Sequence, residues 1–126
     1  MEVVKIAGTD DTPEVKIDPK KGIFEFSGRS LPEDVLSFYA PVLQLIEDYI
    51  QKPAKNSEVL FRLDYFNTAS SKVILDILIY FEHISKEGHN VEIKWFYHQD
   101  DEDMAEAGEE YSEIVDLPFE MQVYRH

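Results

Sequence analysis

A nearly unbroken apolar run, Val59-Leu60-Phe61-Arg62-Leu63, gives way at Asp64-Tyr65-Phe66-Asn67-Thr68-Ala69-Ser70-Ser71-Lys72 to a long apolar helix pattern over residues 73–86. Strands buried on both faces read as continuous apolar runs, so 58–66 is expected at the centre of a sheet. Apolar residues leave it little polar face, with Lys72, Asp76, Glu82, His83 and Lys86 as exceptions. Such a helix is either buried between layers or keeps one exposed face for a partner. A central strand feeding a buried helix commits the chain to a layered α/β fold, and the remaining segments have to fit around it.

They do so in order. Residues 3–6 and 15–17 alternate as short strands around the turn chemistry of Gly8-Thr9-Asp10-Asp11-Thr12-Pro13. After Asp18-Pro19-Lys20-Lys21-Gly22 comes a third strand, 23–28. The simplest arrangement is a hairpin with a preceding edge strand. Ser30-Leu31-Pro32-Glu33 has the form of a capping box, opening a helix with Val35, Phe38, Tyr39, Val42, Leu45, Ile46 and Tyr49 on one stripe. Pro41 inside that stripe is expected to kink or split the helix. Gly88 and Asn90 stop the second helix, and 91–97 reads as a strand. Asp100-Asp101-Glu102-Asp103 opens an acidic helix, Leu117-Pro118 breaks it, and 119–124 is a last strand. The predicted order is β-β-β-α-β-α-β-α-β in one domain, 1–126, with helices packed on a mixed β-sheet behind an N-terminal hairpin.

The chain of 126 residues is long enough to bury roughly two-thirds of its unfolded surface. Its net charge of −14, from 12 basic and 26 acidic residues, disfavours nucleic acid and anionic membranes as partners. A protein partner with a basic or apolar face fits better. The absence of cysteine excludes disulfides, thiolate catalysis and Cys-ligated zinc. Met1-Glu2-Val3-Val4-Lys5-Ile6 lacks the layout of a signal peptide, and no run approaches the roughly 18 apolar residues of a membrane helix. A cytoplasmic location is the expectation.

The acidic stretch 100–113 lacks the calcium-loop pattern and reads as a solvated helical face. His83, His89, His98 and His126 show no ligand spacing and are expected at the surface or in turns. No nucleophile elbow or glycine-rich phosphate loop is present, so neither catalytic residues nor a metal or other cofactor is expected. What remains is the hydroxyl-rich turn at 67–71. Ser, Thr and Asn before a helix commonly serve as caps. The same position can hold an anion or carry a covalent phosphate. Only one residue can be the N-cap, so at least one hydroxyl is surplus and expected to be accessible.

The segment 64–72 followed by a long apolar helix resembles the motif of the SiaC family of bacterial regulatory phosphoproteins. Pro32-Glu33, Phe38-Tyr39-x-Pro41 and Tyr49 resemble that family's first helix, and 91–97 followed by the acidic 100–110 also fits. The similarity spans nearly the whole chain. It implies a STAS-like fold, as in anti-sigma-factor antagonists, and reversible phosphorylation of Thr68. It also implies a dedicated protein kinase, a PP2C-type phosphatase, and a diguanylate cyclase that the unmodified form binds and activates. Asp64, Asn67, Ser70, Ser71, Lys72 and Asp76 would line the docking face. Phosphate at a helix N-terminus is tolerated by the fold, whereas a partner packed over it would have to bury a dianion, so the expected direction is release. An anti-sigma-factor antagonist proper, a small enzyme using the turn as an anion site, and a structural subunit are the competing classes.

Overall fold

The computed structural model describes residues 2–124; Met1, Arg125 and His126 lie outside the described residues. The elements are β1 (Val4–Ile6), β2 (Glu14–Asp18), β3 (Ile23–Ser30), α1 (Val35–Gln51), β4 (Asn56–Phe66), α2 (Thr68–Lys86), β5 (Asn90–His98), α3 (Glu102–Ile114) and β6 (Phe119–Tyr124). They follow the predicted order. The six strands form one sheet in the order β1-β2-β3-β4-β5-β6. The first three pair antiparallel, and β3 to β6 run parallel. The tight turn from β2 to β3 needs Gly22, whose φ is +69° and where a Cβ would lie 2.3 Å from the Asn56 carbonyl oxygen.

Three successive parallel crossovers of one hand place all three helices on the same face. The register shows what they cover. Ile17, Phe24, Val59 and Ile93 form one buried row across the sheet, and Val15, Phe26, Phe61 and Trp95 form the next. Phe24 meets Tyr49 of α1 and Phe81 of α2 edge-on, at ring centroid distances of 4.8 and 4.9 Å. Trp95 meets Tyr111 of α3 at 5.5 Å. Gly108 lets α3 settle on Trp95, since a Cβ there would lie 2.4 Å from Cδ1 of the indole. The opposite face carries ion pairs, Arg62 with Glu25 and Lys94 with Glu58, and Arg62 lies over the Phe96 ring at 4.0 Å.

Three local expectations are corrected. Ser30 does not cap α1. It ends β3 in the interior, and Asp34 is the cap, its Oδ1 accepting from the Ser37 N–H at 3.1 Å. That bond holds the Asp34 carboxyl below its ordinary pKa. Pro41 does not split α1, which runs unbroken through it. Proline sits there on the exposed side, where water can serve the carbonyl it frees. Finally, α2 starts at Thr68, not Val73, because Asn67 caps it and the hydroxyl-rich residues already belong to its first turn.

Candidate functional site

The parallel strands β3, β4 and β5 end where α1, α2 and α3 begin, so three helix N-termini gather at one end of the sheet. The first turn of α2 lies among them. Asn67 is extended and its Oδ1 accepts from the Ser70 N–H at 2.8 Å, while its carbonyl accepts from the Ser71 N–H at 3.0 Å. A polar cap is needed because the first N–H groups of a helix have no internal acceptor.

The hydroxyls of this turn have separate fates. Ser70 is fully buried, and its Oγ donates to the Ser30 carbonyl at 2.9 Å. The expectation that Ser70 lines a docking face therefore does not match its placement: it supports the turn from beneath. Ser71 is half-buried and its Oγ donates back to the Thr68 carbonyl at 2.7 Å. Thr68 is exposed, and among the described residues its hydroxyl has no hydrogen-bond partner. The surplus alcohol is thus Thr68, at the first helical position, where the helix dipole favours negative charge.

Around it, Lys72 is exposed one turn further on, and Asp76 is half-buried beyond that. Asp64 is exposed at the end of β4, with its Oδ1 3.4 Å from Nε2 of His98. A groove of about 350 Å³ opens between α2 and α3, lined by Phe66, Ser71, Lys72, Leu75, Tyr111 and Ile114 among others. A second hollow of about 270 Å³ lies on the other side of Phe66, with Tyr65, Met104 and the acids Asp64, Asp101 and Asp103. Tyr111 ties the groove walls together: its hydroxyl donates to the Ser71 carbonyl at 2.7 Å. Burial pushes the Tyr111 pKa up to about 12, so it remains a neutral donor at physiological pH. Tyr65, Ile79 and Ile114 are 52%, 47% and 62% exposed, which leaves apolar surface on both sides of the groove.

The α3 wall was not anticipated from the sequence. Its stretch of the sequence reads only as an acidic helix with a solvated face. The clue was Tyr111 itself, a large aromatic residue within an acidic helix whose hydroxyl needs a partner once the ring is buried.

The SiaC family of regulatory phosphoproteins matches this chain over residues 6–124. The chain belongs to the SiaC family. An uncharacterised protein of Pseudomonas aeruginosa strain UCBPP-PA14 is 32% identical over 124 residues, which is 98% of each chain. Among solved structures, SiaC of Pseudomonas aeruginosa superposes with a TM-score of 0.91 at 31% identity, covering 98% of this chain and 100% of that one. The apo form of that SiaC gives 0.88 at 32% identity, over 97% and 99%. A third structure holds the diguanylate cyclase SiaD with its activator SiaC, also from Pseudomonas aeruginosa. Its match gives a TM-score of 0.91 at 31% identity, over 96% of this chain and 99% of that one. This SiaC-family chain is therefore a regulatory protein with the same mixed sheet and helices. Among the described residues, no helix is long and apolar enough to cross a membrane.

Proposed function

We propose that this protein is a non-enzymatic, cytoplasmic switch that activates a diguanylate cyclase while Thr68 is unmodified and lets go of it once Thr68 carries phosphate. The observation that carries this reading is the exposed, unengaged hydroxyl of Thr68, one turn from the α2–α3 groove. The cyclase assignment rests on kinship with SiaC, which is described as the activator of SiaD.

The physics follows from what each state asks of the turn. Phosphate on Thr68 adds about −1.5 to −2 charges at the positive end of α2. Free N–H groups and the dipole accept this locally, by up to about 2 kcal/mol. Lys72 helps, whereas Asp64 and the net charge of −14 oppose it. The fold therefore stands with or without the modification. A partner whose surface closes over the turn has to desolvate the dianion without a matching cation, at a cost of several kcal/mol. About 3 kcal/mol already lowers affinity more than a hundredfold. The docking face comprises Asn67, Ser71, Lys72 and Asp76 with the apolar groove beside them, and Asp64 at its edge. A protein kinase and a PP2C-type phosphatase would write and erase the mark.

Intact-mass analysis of the protein from its native host, followed by phosphosite mapping, tests the modification, and co-purification with a diguanylate cyclase tests the partner. The reading expects phosphate on Thr68 in a fraction of molecules and cyclase only with the unmodified fraction. Cyclase retained by the phosphorylated fraction contradicts it.

A further inference from the structure

Beneath the first turn of α2 lies a polar cluster that docking itself does not use. Ser30, Tyr39 and Ser70 are 0%, 1% and 0% exposed, inside a largely apolar core whose other buried serine, Ser57, pairs with Tyr49 at 2.7 Å. Their protons can be placed one by one. The Ser70 hydroxyl donates to the Ser30 carbonyl at 2.9 Å, and the Ser30 hydroxyl donates to the Ser70 oxygen at 2.9 Å. With that proton spent, the Ser30 oxygen accepts from the Tyr39 hydroxyl, at 2.5 Å. The Ser30 carbonyl takes a second bond from the Asn67 N–H at 3.0 Å, so both of its lone pairs are used. Burial raises the Tyr39 pKa and keeps that hydroxyl a donor.

Every hydroxyl in the set is satisfied, and together they join the end of β3, the first turns of α1 and the cap of α2 at one point. Buried polar networks that are fully paired rigidify and specify one arrangement. A core that needed only cohesion would be served by apolar side chains of the same shape. We infer that Tyr39, Ser30 and Ser70 are positioning residues of the modification site, locking Asn67 and Ser70 to the end of β3 so that Thr68 is offered in a single presentation to the enzyme that phosphorylates it. This rests on reading Thr68 as the acceptor, and the lock ties α1 to that acceptor through Tyr39.

The test compares Tyr39→Phe and Ser70→Ala with wild type by amide hydrogen exchange on the full chain. It also follows phosphate incorporation at Thr68 in native-host extract supplied with Mg-ATP. The lock predicts that the amides of Asn67, Ser70 and Ser71 exchange about tenfold faster or more, while β4 and β5 change only as far as global stability does. It also predicts a severalfold lower maximal rate of Thr68 phosphorylation, with the half-saturating protein concentration little changed. Uniform acceleration along the whole chain, or an unchanged first turn, overturns the inference. So does a loosened turn phosphorylated at the wild-type rate. Tyr39→Phe removes a single oxygen and keeps the test sharp if Ser70→Ala does not fold. If wild-type Thr68 takes no phosphate, the switch reading falls, and the exchange comparison still decides whether the lock exists.

Discussion

Thr68, Ser70 and Ser71 share one helical turn and much the same chemistry, yet their surroundings give them three tasks. Ser70 is sealed against Ser30, Ser71 is turned back on the Thr68 carbonyl, and Thr68 points to solvent. Thr68→Ala and Thr68→Glu should each melt within about 0.5 kcal/mol of wild type, because an exposed first-turn residue supports little of the fold. Thr68→Glu should weaken cyclase binding at least about tenfold, whereas Thr68→Ala should bind and no longer respond to the kinase. Calorimetric titration checks both, and normal binding by Thr68→Glu with loss in Thr68→Ala would reverse the assignment. Asp34 carries a pH prediction of its own. Its carboxyl is held below the ordinary 3.8 by the Ser37 N–H, so its capping contribution is complete above that value and fades as pH falls below it. Asp34→Asn should therefore flatten the acid limb of the melting profile below pH 3.8, and an unchanged acid limb would show the cap to be idle.

Among the elements, α3 is the one whose seating defines the groove, and two of its contacts can be broken separately. Gly108→Ala would push a methyl group into the Trp95 indole, which lies 2.4 Å from that position, so either α3 lifts or the indole turns. Overpacking of this kind costs about 1–3 kcal/mol. The buried Trp95 reports it directly as a shifted fluorescence maximum, and an unchanged spectrum and melt would contradict the packing described. Tyr111→Phe keeps the ring and loses the bond to the Ser71 carbonyl, at a cost of about 1 kcal/mol. Since the Tyr111 pKa is raised from 10.0 to about 12, wild type should lose stability as pH rises from 10 towards 12, and Tyr111→Phe should lose less over that window. The order of elements was legible because each segment carries its own period and punctuation, from the alternation around Val15 to the break at Leu117-Pro118. The misread points were ones where distant contacts decide. Ser30 looks like a cap until Tyr39 and Ser70, nine and forty residues away, claim its oxygen. Likewise, Thr68 was visible from the segment 64–72, but the α3 wall was not, because Tyr111 reaches Ser71 across forty residues of chain.

At the scale of the whole molecule, a net charge of −14 sits on a scaffold whose Lys16–Glu14 pair is exposed and whose Arg62–Glu25 and Lys94–Glu58 pairs are half-buried. Pairs that stay in contact with solvent contribute little each, so the summed repulsion should dominate the response to salt. Raising ionic strength from about 0.01 to 0.15 M shortens the screening length from about 30 to 8 Å and should raise the melting temperature. A fall would mean that attractive pairs outweigh repulsion. The sheet and helices otherwise act as a rigid mount, bringing the α2 cap, the hydroxyl lock and the α3 wall together at the end of the parallel strands. The decisive quantity is the affinity of the native host's diguanylate cyclase for this protein with Thr68 unmodified and with Thr68 stoichiometrically phosphorylated. A loss of about a hundredfold or more on phosphorylation, with the fold unchanged by circular dichroism, is the result predicted. Equal affinity for the two forms, or tighter binding of the phosphorylated one, would contradict it.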